Sequence, residues 1–343
     1  MSFSGSEIQA ELAFAAQSGE GDGPSGGPAG IGPYKLAWRR LRRNKVALLF
    51  GFVFLVIVIL CLLAPIYSHD VAHIGPDTGN LTGQIRVGGK LEYILSLTGI
   101  PIGPTWNIQH YFLGADTNGR DVAVRLLYGG RSSLYIGVVG MLITMVFGTM
   151  FGVIAGYFRG PIDGLISRAS DVIWSYPAVL LGITLGTVLN VRGLGPLHST
   201  TLSTTAVVVG FVYIPYVVRP IRAQVLTLRE REFVDAARQQ GLSSLRIMFS
   251  EILPNVMSTI IIFVPLMLAN AILLEAALSY LGAGVQPPNS TWGTMIAAGL
   301  NTFPGAFHTV LVPGIMLVLA VMSVNIFGDG LRDALDPRSK AAI

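Results

Sequence analysis

One cysteine in 343 residues removes two chemistries at once. Cys61 can form no intrachain disulfide, and no zinc-binding thiolate cluster can be built around it. Charge is the second scarcity. Asp, Glu, Lys and Arg make up 12% of the chain, where a soluble domain carries about 25%. Enzyme motifs are missing too. There is no GxxxxGK[ST] phosphate loop for ATP hydrolysis, and no HExxH occurs. The histidines, His69, His73, His110, His198 and His308, are scattered rather than set at helical spacing inside apolar runs. The sequence therefore offers no catalytic residue and no metal site. It also shows no filter sequence or charged ring of the kind that lines a channel.

What is present is apolar. With 52% hydrophobic residues and a mean hydropathy of +0.61, the chain reads as an integral membrane protein. A crossing needs about 20 apolar residues. Six segments meet or approach that length: 46–67, 132–157, 172–190, 204–226, 256–280 and 309–328. The pI near 9.3 raises nucleic acid as a partner, but the basic residues segregate by loop. With the N-terminus inside, the outer side holds Arg86, Lys90, Arg120, Arg125, Arg131 and Arg192, and the other seventeen of the 23 lie inside. This asymmetry puts both termini in the cytoplasm and excludes nucleic acid as the reason for the charge.

The chain divides as follows. Residues 1–33, rich in Gly, Ser and Ala, read as a flexible cytoplasmic tail with no signal-peptide core. Residues 34–67 hold a basic collar, KLAWRRLRRNK, and the first span. The collar suits anionic lipid headgroups. Residues 68–131 form an external segment of mixed polarity with abundant turn chemistry. Within it, LEYILSLTGIPIGP is too short to cross and reads as an interfacial or packed piece, and 121–128 as a short surface helix. Residues 132–335 form a five-helix core, and 336–343 a cytoplasmic tail.

One polar stretch interrupts the core. EFVDAARQQGLSSLRIMFSEILPN, 232–255, lies between two apolar segments and cannot sit in lipid. It is expected to form a cytoplasmic helical hairpin over 229–254. Its first helix runs from about Leu228 to Gln240, ended by Gly241 in the left-handed conformation. Ser243 or Ser244 caps the second helix, where Leu242, Leu245, Met248, Phe249 and Ile252 share a face. Ala236 and Ala237 allow close approach of another surface, Phe233 and Leu242 can insert as apolar knobs, and Asp235 and Arg238 can pair across a contact. Tyr176-Pro177 and Pro215 are expected to kink spans three and four.

Asp235-Ala236-Ala237, then Gly241, then Ile252-Leu253-Pro254 resembles the EAA loop of ABC importer permeases, with Asp235 keeping the usual charge on a shorter stem. AWRRLRRNKVALLF (37–50), YFLGADTNGRDVAVRLLYGGRSSL (111–134), EAALSYLGAGVQPPNSTWG (275–293) and GDGLRDALDPR (328–338) resemble the C-type permease of dipeptide, oligopeptide and nickel importers. The resemblance implies an all-α polytopic membrane protein with six transmembrane helices, like a type I ABC importer permease, in a bacterial or archaeal cell membrane. It implies a second permease subunit in a heterodimer, two cytoplasmic ATPase subunits that carry the ATP and Mg, and an external solute-binding protein. No cofactor is then expected on this chain. The hairpin residues Phe233, Asp235, Ala236, Ala237, Arg238, Gly241, Leu242, Ile252 and Pro254 would receive the ATPase. Peptide is the default solute and nickel the alternative. A self-standing secondary carrier is the reading from another class.

Three further groups draw attention. Glu275, near the outer end of span five, is either a substrate or partner contact or a packing carboxyl. Asn270 is either a pathway residue or an interhelical hydrogen-bonding group. Asp116, Arg120 and Asp121 either pair among themselves or meet the binding protein.

Overall fold

The computed structural model describes residues 33–192 and 202–335. The expected N-terminal tail, apart from its last residue, the tail 336–343 and the loop through 193–201, which holds His198, lie outside the described residues. The basic collar forms α1 (Pro33–Leu41) and the first span α2 (Lys45–Leu62). Asn44 starts α2 as its N-cap, its side chain accepting from the Ala47 N–H at 3.0 Å. Then follow α3 (Val122–Phe158), α4 (Gly160–Trp174), α5 (Ala178–Arg192), α6 (Leu202–Leu228), α7 (Glu232–Gln239), α8 (Ser244–Tyr280), α9 (Trp292–Gly299) and α10 (His308–Leu335).

Five of these helices, α2, α3, α6, α8 and α10, are long and apolar enough to cross a membrane. A sixth crossing arises only if α4 and α5 count as one broken span, because they meet at 91°. The kink expected at Tyr176-Pro177 in the third span, 172–190, is an elbow. Pro177 lacks the N–H that would continue the ladder, and its ring disfavours the helical conformation of Tyr176. Pro215 sits inside α6 without breaking it. The surface helix expected at 121–128 does not stand alone either. It is the first part of α3, which runs without a break for 37 residues. Asp121 is its N-cap, accepting from the Ala123 and Val124 N–H groups at 2.8 and 3.1 Å.

α3 and α6 form the central pair. Along α3, Gly148, Gly152 and Gly156 recur every fourth residue; along α6, Val217, Ile221 and Val225 do the same. They face each other directly: a Cβ added to those glycines would lie 2.6–2.8 Å from the Cβ atoms of Val217, Ile221 and Val225 respectively. Small residues on one helix thus admit the β-branched ridge of the other, the packing mode that works in lipid, where apolar burial gives no driving force. Thr144 reinforces the seam, its Oγ1 donating to the Gly210 carbonyl at 2.8 Å.

The segment ahead of α3 is folded and not purely helical. β1 (Gln84–Val87) pairs antiparallel with β2 (Lys90–Tyr93). Gly88 and Gly89 both have positive φ, +56° and +87°, as a two-residue primed turn requires. The LEYILSLTGIPIGP piece supplies β2 and a tight turn, and of its two readings it is the packed one, with Ile94 buried against Tyr111 and Ala115. His308 Nε2 donates to the Ala115 carbonyl at 3.0 Å, joining this small unit to α10.

Gly152→Leu is expected to lower stability in detergent by about 3 kcal/mol through overpacking. Gly164→Ala, at a helical site with open space around its Cα, is expected to be neutral or to stabilise by up to about 1 kcal/mol. Thermal unfolding of the two variants side by side checks the seam.

Candidate functional site

The hairpin projects from the end of the bundle where α3 and α6 finish. α6 stops at Leu228, a short turn follows, and α7 begins at Glu232, so the first hairpin helix is shorter than expected. Its end is a complete Schellman cap. The Gly241 N–H donates to the Arg238 carbonyl at 2.9 Å, and the Leu242 N–H to the Ala237 carbonyl at 3.2 Å, with Gly241 at φ +76°. Ser243 caps the second helix as expected, its Oγ accepting from Arg246 N. That helix runs on through Pro254. A π turn over Ile247–Ile252 shifts the hydrogen-bond register so that the missing N–H of Pro254 is accommodated, and α8 continues to Tyr280.

The hairpin is bolted to the bundle by buried Val234, Ala237, Ile247, Met248 and Ile252, which join the core containing Tyr157 and Val225. The Arg229 guanidinium donates to the Tyr157 carbonyl at 2.5 Å. Arg159 and Glu230 pair beside it, and that contact holds the Glu230 carboxyl below its ordinary value. Two expectations change here. Ala237 and Ile252 are interior residues, 5% and 0% exposed, so they support the hairpin instead of presenting it. The expected apolar face also splits: Met248 and Ile252 turn inward, whereas Leu245 and Phe249 are exposed and line a groove of ≈ 550 Å³ with Met145 and Met150 of α3. The outward surface consists of Phe233, Asp235, Ala236, Arg238, Gly241 and Pro254, with Leu242 half-buried. Asp235 and Arg238 pair with each other at 3.0 Å.

Glu275 is fully enclosed. Ser279 Oγ donates to its Oε1 at 2.7 Å, and the hydroxyls of Ser133 on α3 and Thr291 at the start of α9 act on the same carboxyl. Ser133 Oγ also accepts from the Trp292 N–H at 3.2 Å, and the Trp292 indole donates to the Leu126 carbonyl at 3.1 Å. A group enclosed within one chain lines no path and meets no second subunit. Glu275 therefore ties α3, α8 and α9 together, and of its two readings the geometry supports the packing carboxyl over the pathway contact. Asn270, five positions earlier, is half-buried and has no hydrogen-bond partner among the described residues.

Residues 148–341 match the model of the binding-protein-dependent transport system inner membrane component family, and residues 32–82 match that of the N-terminal transmembrane domain of oligopeptide transport permease C. The chain belongs to the binding-protein-dependent transport permeases. It is 34% identical to the dipeptide transport system permease protein of Alkalihalophilus pseudofirmus, covering 91% of this chain and 92% of that one. It is 35% identical to the di/tripeptide transport system permease protein of Pseudomonas aeruginosa, covering 90% and 94%. The glutathione transport system permease protein of Pectobacterium atrosepticum is 32% identical, with coverage of 90% and 92%. In fold, the permease resembles a chain of the inward-facing MetNI methionine ABC transporter (TM-score 0.50, 17% identity), covering 62% of this chain and 96% of that one. It is a multi-pass inner-membrane protein with an ABC importer permease fold.

At the opposite end of this permease, the acidic and basic residues singled out in the sequence do pair among themselves. Arg120 meets Asp116 at 2.7 Å, and Arg125 lies 3.4 Å from Asp116 and 3.1 Å from Asp77. Asp121 caps α3 and also accepts from the Tyr111 N–H at 2.8 Å. Burial raises the Asp121 carboxyl above its ordinary value, against the pull of three backbone N–H groups. Asp116 and Asp121 are 8% and 1% exposed and Arg120 is half-buried, so none of the three forms an open docking surface. The sequence reading passed over Asp171, Trp174, Tyr216 and Arg219, which the elbow gathers.

Asp121→Ala is expected to cost about 2 kcal/mol, a lost cap plus an unpaired buried N–H. Glu275→Ala is expected to cost about 2–3 kcal/mol by stranding hydroxyl donors. Unfolding in detergent measures both; a Glu275→Ala protein of unchanged stability and altered transport would contradict the anchoring role.

Proposed function

We propose that this permease is one half of the translocation pathway of an ATP-driven peptide importer, with the outward face of α7 as the socket for an ATPase subunit. The observation that carries this reading is a rigid, exposed handle. Phe233 and Ala236 stand in water on a short helix whose other face is fixed into the bundle by Val234 and Ala237. A surface helix built only to join two spans needs neither the exposed Phe nor that bolting.

The charge bias places the hairpin, α1 and the end of α10 in the cytoplasm and the β-hairpin unit outside. Two ATPase subunits, which hold the ATP and Mg, then serve this chain and a second permease, and no cofactor binds here. An external solute-binding protein delivers the solute, and the exposed Leu91, Tyr93 and Leu97 of the β-hairpin unit are the surface offered to it. The peptide assignment rests on the dipeptide, di/tripeptide and glutathione permeases among the relatives. Nucleotide-driven closure moves the hairpins together; since they are fixed to α3 and α8, the spans tilt as bodies and the cavity between the permeases opens outward. Coupling of this kind requires an interface that prefers one state. Asn270 is a polar group of α8 that remains available to solute or to the second permease.

Ala236→Trp is expected to abolish ATPase co-purification and peptide uptake while the chain inserts and unfolds as wild type. Ala237→Trp, at an interior position, is expected to destabilise the chain itself by about 3 kcal/mol. Normal ATPase recovery with Ala236→Trp would refute the socket.

A further inference from the structure

The elbow between α4 and α5 encloses features that the coupling scheme does not use. The break leaves a cavity of ≈ 310 Å³ lined by Trp174, Tyr176, Pro177 and, from α6, Tyr216. Trp174 stacks on Tyr216, with ring centroids 4.3 Å apart and 13° between planes. The Arg219 guanidinium lies 3.9 Å from the centre of the Trp174 ring and donates to Asp171 at 2.7 Å.

Arg219 is set about 13 Å inside the end of α6 at Leu228 by the helical rise, on a helix long and apolar enough to cross. A charge on such a helix calls for a partner or a purpose. Its neighbour Arg222, one turn on, shows what a purely structural pair looks like here. Arg222 grips both oxygens of Asp163, at 2.5 and 2.6 Å, and Ser167 adds a third bond. The Asp171–Arg219 contact is different. It is a single bond, with side chains 63% and 46% exposed, and Trp174 and Tyr176 beside it are 38% and 58% exposed. A half-exposed, single-point ion pair holds weakly and opens cheaply.

We propose that this elbow is a peptide contact on the translocation route, in which Arg219 takes the carboxylate end of a zwitterionic dipeptide and Asp171 its ammonium end. The proposal rests on the peptide-importer reading. A free dipeptide carries one charge of each sign, and the pair offers one partner for each. The guanidinium fork matches a carboxylate, and the π faces of Trp174, Tyr176 and Tyr216 accept side chains of many kinds, as an importer of mixed sequences requires. The solute replaces the Asp171–Arg219 bond with two of its own and is released when the pair re-forms. Transporters build such contacts where a crossing helix is broken.

The test uses the full complex of both permeases and ATPases in proteoliposomes, with its binding protein and the dipeptide Ala-Phe. Arg219→Gln is expected to lower ATP-driven uptake about tenfold, the loss of one charge-assisted bond, while ATP hydrolysis stimulated by loaded binding protein stays within about twofold, as an intact socket implies. The charge swap Asp171→Arg with Arg219→Asp, which keeps a pair but moves the cation off Trp174, is expected not to restore uptake. Restoration by the swap would reduce the pair to a helix tie and overturn the proposal, as would undiminished uptake by Arg219→Gln. Should Arg219→Gln also lose ATP hydrolysis, a photoreactive dipeptide decides on the wild-type complex: labelling within 171–178 or 212–219, competed by Ala-Phe, supports the contact, and labelling only elsewhere overturns it. No ATP-driven Ala-Phe uptake by the wild-type complex at all would instead sink the peptide-importer reading.

Discussion

Everything in this chain hangs on how closely α3 and α6 approach. Lipid gives two apolar helices no reason to associate, so contact must come from fit. Glycines at 148, 152 and 156 let the ridge of Val217, Ile221 and Val225 sit against the α3 backbone. That approach puts Tyr157 within reach of Arg229 and Arg238, which fixes the hairpin. It also brings α4 against α6, where Asp163 meets Arg222 and Asp171 meets Arg219. A wider seam would loosen the handle and the elbow together.

The two ends of the bundle solve opposite problems. At the hairpin end, polar backbone must leave the membrane, turn twice and re-enter without exposing unpaired groups. A Schellman cap at Gly241 and a π turn before Pro254 accomplish this, and α8 runs on uninterrupted. At the other end, charged side chains are turned inward. Asp121 caps α3, Asp116 holds two arginines, and Glu275 gathers hydroxyls from three elements. These carboxyls make a stiff platform rather than an open docking face. Between the ends lies one break, at Tyr176-Pro177, and it coincides with the only aromatic stack among the described residues that carries an adjacent cation.

Much of this was legible in the residues. Apolar length marked the crossings, the polar interruption at 232–255 marked the hairpin, and Gly241 and Ser243 marked its corner. The failures share a physical cause: local pattern does not report which way a side chain turns once helices pack. Ala236 and Ala237 look alike in sequence, yet α7 buries one and exposes the other. Glu275 keeps two readings in the sequence, contact or packing carboxyl, until Ser133, from 142 positions earlier, is seen beside it. The 121–128 piece reads as separate because its polarity differs from that of the span it continues. By contrast, the four-residue spacing of glycines on α3 and of β-branched residues on α6 was in plain view, and it was the signal that could have paired the two helices. So was Gly88-Gly89, which makes a primed turn and hence the two strands the all-α reading omitted.

The central claim is that the hairpin rides on the bundle as a fixed handle. Spin labels at Gln239→Cys on α7 and Val138→Cys on α3 measure it directly, since the native Cys61 is enclosed, 1% exposed. In the assembled complex, the interval between the labels is expected to stay the same in the nucleotide-free and ATP-bound states, while the handle moves as a whole relative to the second permease. A change in that interval beyond the spread of the labels would show that the hairpin flexes on its own, and the account of coupling would fail.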